Sequence, residues 1–272
     1  NGSGKTTLLK ISAGLLTPTA GSVLVNKTPV GVYTKAVTSY LPDRMALPTE
    51  FTAADAVSLY NDFFSDFDKA KADTLGNGAK AFVCDVSNPE SAEQVIADAV
   101  KAFGHIDIMV NSAGIVQLAP AEDLPRDYWQ QTIAVNLSGT VYMSQAAGKA
   151  MIKAGRGGKI INMASQAGTV AIDQHVSYCA SKFGVIGLSK VLAAEWGKYG
   201  INVNTLSPTV VLTDLGKKAW DNPKGEALKT RIPIGRFALP EEIAAAAVFV
   251  ASSGADMITG ADLLIDGGYT IV

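Results

Sequence analysis

The chain has little of what disulfide scaffolds, metal centres and membrane spans are built from. Its 272 residues contain two cysteines, Cys84 and Cys179, and two histidines, His105 and His175. Two cysteines are too few for a disulfide framework and read as reduced thiols. Histidines this far apart, with no cysteines at ligand spacing, count against a structural metal site. No run of about 18 or more apolar residues and no signal peptide is present, which excludes a membrane span and implies a cytoplasmic protein. A net charge of −2 supplies no basic surface for nucleic acid or an anionic membrane.

What the chain has is apolar residues in regular alternation. At 48% hydrophobic and 18% charged it can bury one sizeable core. From residue 73 onward the pattern predicts helix 89–103 ending at Gly104, strand 108–110, a long helix within 125–154, strand 159–163 and helix 177–199. Strand 201–206, an irregular lid over 209–231, helix 240–251 and strand 262–265 follow. Strands and helices alternating at these lengths make an α/β parallel sheet. Upstream, a helix over 5–16, an extended stretch at 22–25, a strand at 37–41, a helix over 52–72 and a strand at 80–84 are expected.

The most informative residues are Tyr178 and Lys182 in Val176-Ser-Tyr-Cys-Ala-Ser-Lys-Phe-Gly, preceded by Ser165 in Ile161-Asn-Met-Ala-Ser. Four residues apart on a helix, the ammonium and the phenol share a face, so the charge is expected to favour the ionised phenol and make a general base near neutral pH. That arrangement suits hydride transfer at an alcohol or ketone, which requires a partner for the hydroxyl proton. Ser165 is placed to hold the same oxygen. Taken alone, a Tyr-x-x-x-Lys pair is an ordinary feature of an amphipathic helix.

Other short motifs stand in register with it: Asn111-Ser-Ala-Gly114 after an apolar run, Asn136 in Val135-Asn-Leu, Ser207-Pro-Thr, and Ile265-Asp-Gly-Gly. In this order and spacing, residues 73–272 resemble the classical short-chain dehydrogenases/reductases, and among these the polyol and sugar-alcohol dehydrogenases. The resemblance implies a Rossmann-like doubly wound sheet, a homotetramer, NAD or NADP as cofactor with NAD favoured, and a small alcohol or polyol as substrate. It implies a catalytic set of Asn136, Ser165, Tyr178 and Lys182. In the cofactor site it puts Asp85 and Val86 at the adenine, Asn111, Ala113 and Gly114 along the adenosine side, and Pro208, Val211 and Thr213 near the nicotinamide amide, with Tyr178 and Lys182 also in contact. Thr209 stands where a glycine is usual, and Ser112 where a second asparagine is more common. His175, Gln166 and Trp220 are candidates to line the substrate pocket.

The first residues depart from that family. It requires a Thr-Gly-x-x-x-Gly-x-Gly turn after its first strand, and no such segment occurs. Residues 1–72 instead resemble the opening of an ABC-transporter ATPase, with Gly4, Lys5 and Thr6 as the last three positions of a phosphate loop whose first glycine is not present. No Leu-Ser-Gly-Gly-Gln signature follows, so ATP hydrolysis is not expected. The expectation is a chimera in which a P-loop segment replaces the first βαβ portion, with residues 22–25 or 37–41 filling the central strand position. A catalytically silent hybrid of the two fragments is the competing reading.

If Lys5 contacts a dinucleotide phosphate, Lys5→Ala weakens NAD binding several-fold in a calorimetric titration; an unchanged dissociation constant removes that contact.

Overall fold

The structure, a computed structural model, describes residues 82–213 and 220–272 and the backbone of 24–25 and 28–29. The chain divides into two compact units, Asn1–Phe82 and Val83–Val272. In the first, β1 (Leu24–Val25) pairs antiparallel with β2 (Thr28–Pro29) in a sheet of its own. That pairing differs from the expectation that 22–25 joins the main sheet as its central strand. The phosphate-loop-like residues Gly4, Lys5 and Thr6, and the elements expected at 5–16, 37–41 and 52–72, lie outside the described residues.

The second unit follows the predicted alternation closely. Helix α1 (Pro89–Phe103) begins where the Asn88 side chain accepts the Ser91 N–H at 3.0 Å, with proline at its first turn. It stops at Gly104, whose φ of 89° is open to glycine at no steric cost. Strand β3 (Ile108–Asn111) follows, and then helix α2 (Arg126–Thr132). The long helix expected within 125–154 is not one uniform helix. A π-helical segment, Ile133–Ser138, separates α2 from α3 (Gly139–Ala154). Strand β4 (Gly158–Met163), helix α4 (Val176–Trp196), strand β5 (Ile201–Pro208), helices α5 (Pro223–Lys229) and α6 (Pro240–Ala251), and strand β6 (Asp262–Ile265) complete the unit.

Strands β3, β4, β5 and β6 form one parallel sheet in that order, with Asn111 opposite Asn162 and Met163 opposite Leu206. Helices cover both of its faces. Ile160 and Val203 pack with Met151 of α3 and Ala193 of α4, whereas Ile161 and Leu206 pack with Ile243 and Val250 of α6. Successive residues of a strand point to opposite faces, so an apolar pair such as Ile160-Ile161 is what a doubly covered parallel strand requires. Each of these side chains contributes about 1.5–3 kcal/mol by leaving water.

The expected strand at 80–84 is not formed over its described part, residues 82–84. Val83 is 88% exposed. A strand needs a laddered neighbour, and among the described residues β3 is paired on one side only, by β4. The lid contains more order than expected: α5 lies within it, and Val211 bridges to Ala238. The C-terminal Asp266-Gly-Gly turn is knotted by the Asp266 carboxylate, which accepts from Gly268 N, Thr270 N and Thr270 Oγ1 at 2.9, 2.9 and 2.7 Å. Burial raises its pKa, but the hydrogen bonds from Thr270 and Gly268 outweigh this and the net shift is downward. Gly267 and Gly268 both have positive φ, and a Cβ on Gly267 would meet Ile232 at 2.7 Å, so the turn packs directly on the lid's base.

A buried polar network ties the sheet to its helices. Asn111 Nδ2 donates to Ser144 Oγ at 2.9 Å and to Asn162 Oδ1 at 2.7 Å, and Asn162 Nδ2 donates to Ser189 Oγ at 2.8 Å. Strands β3 and β4 are thereby bonded to α3 and α4. Asn162→Ala strands the Asn111 amide and removes the Ser189 partner, and is expected to lower unfolding free energy by about 2–4 kcal/mol in denaturant titration. Loss of the exposed Lys149–Glu93 pair in Lys149→Ala is expected to change it by less than about 0.5 kcal/mol.

Candidate active site

The carboxyl ends of β3, β4 and β5 deliver the site residues, as expected of an open parallel sheet. Asn111 ends β3, Met163 ends β4 and leads into Ser165, and Pro208 ends β5. Ser165 takes an extended conformation and its hydroxyl accepts the Ala167 N–H at 3.1 Å, capping the short 3-10 turn Gln166–Gly168.

Asn136 sits inside the π-helical segment and is fully buried, at 0% exposure. Its Oδ1 accepts from Ile115 N and its Nδ2 donates to Ile115 O, both at 2.8 Å; Nδ2 also donates to Ser181 Oγ at 3.2 Å. The asparagine therefore clamps the Ser112–Ile115 turn against α4. The clamp needs close approach: a Cβ on Gly114 would lie 3.4 Å from Asn136 Oδ1 and 3.9 Å from Lys182 Nζ. Pi-helical turns of this kind are common at functional sites because they re-aim one side chain.

Lys182 is 5% exposed and donates from Nζ to Met163 O at 2.7 Å. Burial alone lowers its pKa to about 8. Nζ lies 5.6 Å from the centroid of the Tyr178 ring. The phenol does not behave as the sequence implied. Desolvation raises the Tyr178 pKa above its ordinary value and outweighs the hydrogen bond from Ser165, which works in the opposite direction. In this dry setting the charged form of either side chain is penalised, so the phenol is held neutral rather than driven toward phenolate.

Two cavities share the Ser112 wall. One of ≈ 160 Å³ is lined by Val86, Asn111 and Ala113; the other, of ≈ 340 Å³, is lined by Gly114, Ser165, Tyr178 and Lys182. Pro208, Thr209, Val211 and Thr213 also face the second cavity, as do Gln166, His175 and Trp220. Of the expected adenosine-side groups, Asn111 and Ala113 line the smaller cavity, whereas Gly114 lines the larger one with the expected nicotinamide-side groups. Asp85 lines neither; its carboxylate is exposed and accepts from Ser87 N at 2.9 Å and Ser87 Oγ at 2.7 Å, which lowers its pKa. Asn136 also lies behind the wall rather than in it. The Asn111 side chain turns inward to the buried network, leaving only its other atoms to face the pocket.

Two residues that line the larger cavity carry side-chain oxygens buried without partners, Gln166 Oε1 and Thr209 Oγ1, the residues being 3% and 7% exposed. Unpaired polar atoms inside a protein cost about 1–3 kcal/mol each, and at a pocket wall they point to completion by a ligand. The sequence places Thr209 in the Pro208–Thr213 segment expected at the nicotinamide amide, where a glycine is usual. Sequence reading had missed Ser181 and Asn162 altogether. The signal for Asn162 was present: a polar residue in the run Ile160-Ile-Asn-Met163, at the strand position that pairs with Asn111.

Comparison with known proteins agrees with this geometry. A family model described as enoyl-(acyl carrier protein) reductase matches residues 47–270, beginning upstream of the boundary expected at 72–73. The chain is 67% identical over 193 residues to a D-threitol dehydrogenase of Mycolicibacterium smegmatis, covering 71% of this chain and 74% of that protein. It is 47% identical over 226 residues to an NAD-dependent glycerol dehydrogenase of Listeria innocua, covering 83% and 89%. A gluconate 5-dehydrogenase from Burkholderia cenocepacia, solved with NADP and tartrate, superimposes with a TM-score of 0.68 at 34% identity, covering 75% and 83%. These matches give no support to an ATPase-derived opening. With its Rossmann-like α/β sheet and its matching relatives, the chain belongs to the short-chain dehydrogenase/reductase family.

Proposed function

We propose that the chain is a nicotinamide-dependent dehydrogenase acting on a small polyol, with NAD favoured over NADP. The observation that carries this reading is the convergence of Ser165, Tyr178 and Lys182 on one cavity with the Pro208–Thr213 segment. Similarity to the threitol and glycerol dehydrogenases points to the polyol class.

The residues present fit a nicotinamide nucleotide. Lys182 spends one N–H on Met163 O, and an ammonium carries three, so the others are free for ribose hydroxyls. Thr209, whose Oγ1 has no partner, lines the same cavity, and a hydroxyl there is suited to an amide group. Val86, Asn111 and Ala113 supply a wall for the adenosine side, Gly114 lines the larger cavity beside it, and Asp85 presents an exposed carboxylate just before Val86. When bound, the nicotinamide exchanges a hydride with the substrate carbon.

The protein handles the proton. In ketone reduction the neutral Tyr178 phenol donates its proton to the oxygen that becomes a hydroxyl and is left as phenolate; in alcohol oxidation the Tyr178 phenolate takes the hydroxyl proton and returns to the neutral phenol. Ser165 holds the same oxygen by a hydrogen bond and shares its load. Lys182 places positive charge beside the phenol as it loses its proton, which offsets the cost of burying a phenolate. Asn136 acts by positioning, through its grip on Ile115 and Ser181.

Around this centre the same reading takes the protein as a cytoplasmic homotetramer. Its support is apolar surface on α6 and at the C-terminus, where Val248, Phe249, Ile271 and Val272 are exposed. Among the described residues, no helix is long and apolar enough to cross a membrane. The ATPase-like reading of residues 1–72 rests on those residues alone, and nothing in the cavity chemistry depends on it.

Tyr178→Phe is expected to lower kcat for polyol oxidation by about 10²–10⁴, with cofactor affinity changed by no more than a few-fold. A variant that keeps full kcat, or a wild-type chain that binds neither dinucleotide in calorimetry, overturns the reading. Lys182→Met is also expected to abolish turnover while stabilising the fold. With its folded pKa at about 8 against 10.5 when unfolded, the buried ammonium costs about 3 kcal/mol below pH 8. As pH rises above that value the native lysine is neutral while the unfolded one stays charged, so the penalty shrinks. The stability advantage of Lys182→Met should therefore be largest below pH 8 and narrow between pH 8 and 10.5 in paired denaturant titrations.

A further inference from the structure

His175 stands at the N-cap of α4 but makes no capping hydrogen bond with its side chain. Asparagine, aspartate, serine and threonine are the residues that usually fill this position, so an imidazole there is doing something other than capping. The residue before it, Gln174, holds a positive φ of 62°, a left-handed conformation that non-glycine residues rarely adopt. Its backbone is held there by a hydrogen bond from Ala119 N to Gln174 O at 3.2 Å. This bend delivers the imidazole to the cavity wall, edge-on to Tyr178 with ring centroids 6.0 Å apart.

The tautomer follows from one contact. His175 Nδ1 lies 2.6 Å from Asp173 O. A backbone carbonyl has no proton to give, so the shared hydrogen is on Nδ1, and the neutral ring then carries its lone pair on Nε2. Nε2 makes no ion pair or hydrogen bond with the described residues. The imidazole is thus a hydrogen-bond acceptor, fixed in orientation by its other nitrogen, in the cavity that holds Ser165 and Tyr178.

We infer that His175 is a specificity-determining residue whose Nε2 accepts a hydrogen bond from a second hydroxyl of the substrate. This rests on the dehydrogenase reading and extends it. A polyol whose reacting oxygen lies at Tyr178 carries a further hydroxyl on a neighbouring carbon, within reach of a ring stacked edge-on to the phenol. That hydroxyl is a donor, and Nε2 offers it an acceptor. A simple alcohol has nothing to give there, so the contact discriminates by hydroxyl count rather than by size. Gln166 Oε1, a second unpaired acceptor in the same cavity, gives the wall the same polarity.

The test compares threitol and glycerol with 2-butanol and 2-propanol in wild type, His175→Phe and His175→Gln. His175→Phe keeps an aromatic ring against Tyr178 and removes the lone pair, whereas His175→Gln restores an acceptor. Two readouts are taken: the polyol-to-simple-alcohol ratio of kcat/KM, and the ratio of equilibrium affinities for the same compounds by calorimetry on the dinucleotide-saturated chain. Both ratios are expected to fall about tenfold in His175→Phe and to recover in part in His175→Gln, the kinetic loss lying mainly in KM. A ratio unchanged in His175→Phe, or wild-type chain with no polyol preference in binding, overturns the inference. Loss of polyol binding in His175→Phe, in a wild type that binds polyol but turns over nothing, supports the subsite and overturns the dehydrogenase reading instead.

Discussion

The hydrogen bond from Lys182 Nζ to Met163 O is the contact on which the rest of the site depends. It joins the middle of α4 to the last residue of β4 at 2.7 Å, with the ammonium almost wholly removed from water. A charge in that position is unfavourable by itself, and its pKa falls accordingly. The arrangement persists because helix and strand are fixed independently by packing and by the Asn162–Ser189 bond. The lysine is held where its burial costs stability, with Nζ beside the Tyr178 ring.

The same economy runs through the neighbouring groups. Burial raises the Tyr178 pKa, Gln166 Oε1 and Thr209 Oγ1 are left without partners, and Gln174 occupies a strained backbone conformation. Each is a small loss of stability at or beside the cavity, although buried Ser177 Oγ and Thr132 Oγ1 also lack partners, whereas the asparagines behind the wall are paired. Asn136 satisfies both ends of its amide, and Asn111, Ser144, Asn162 and Ser189 bond to one another. Paired networks make the scaffold rigid, and unpaired atoms mark where it is completed from outside.

The wall opposite the helix is built differently. Trp220 packs with Ile232, Phe237 and Tyr269, its indole edge-on to Phe237 at 6.4 Å, and the Asp266 turn locks Tyr269 and Thr270 behind it. The cavity is therefore closed on one side by sheet termini and α4, and on the other by a lid base anchored to the C-terminal segment.

Helices α1 and α6, strand β6 and the α/β class were legible because each rests on local rules: Asn88 before Pro89, Gly104 after Phe103, and apolar periodicity that changes between strand and helix. The shared face of Tyr178 and Lys182 was legible as well, since spacing along a helix sets it, and Ser165 was legible only from its motif at the end of an apolar strand. Three things depended on tertiary contacts. The π-helical interruption around Asn136 arises where one asparagine must satisfy Ile115 and Ser181, which are distant in sequence. The direction of the Tyr178 shift is a result of burial, which no spacing rule contains. The placement of His175 beside Ser165 and Pro208 at one cavity arises only when α4 packs on the ends of β4 and β5. Sequence determines which groups can meet along one element; which atoms lose water, and which remain unpaired, is decided only when elements pack.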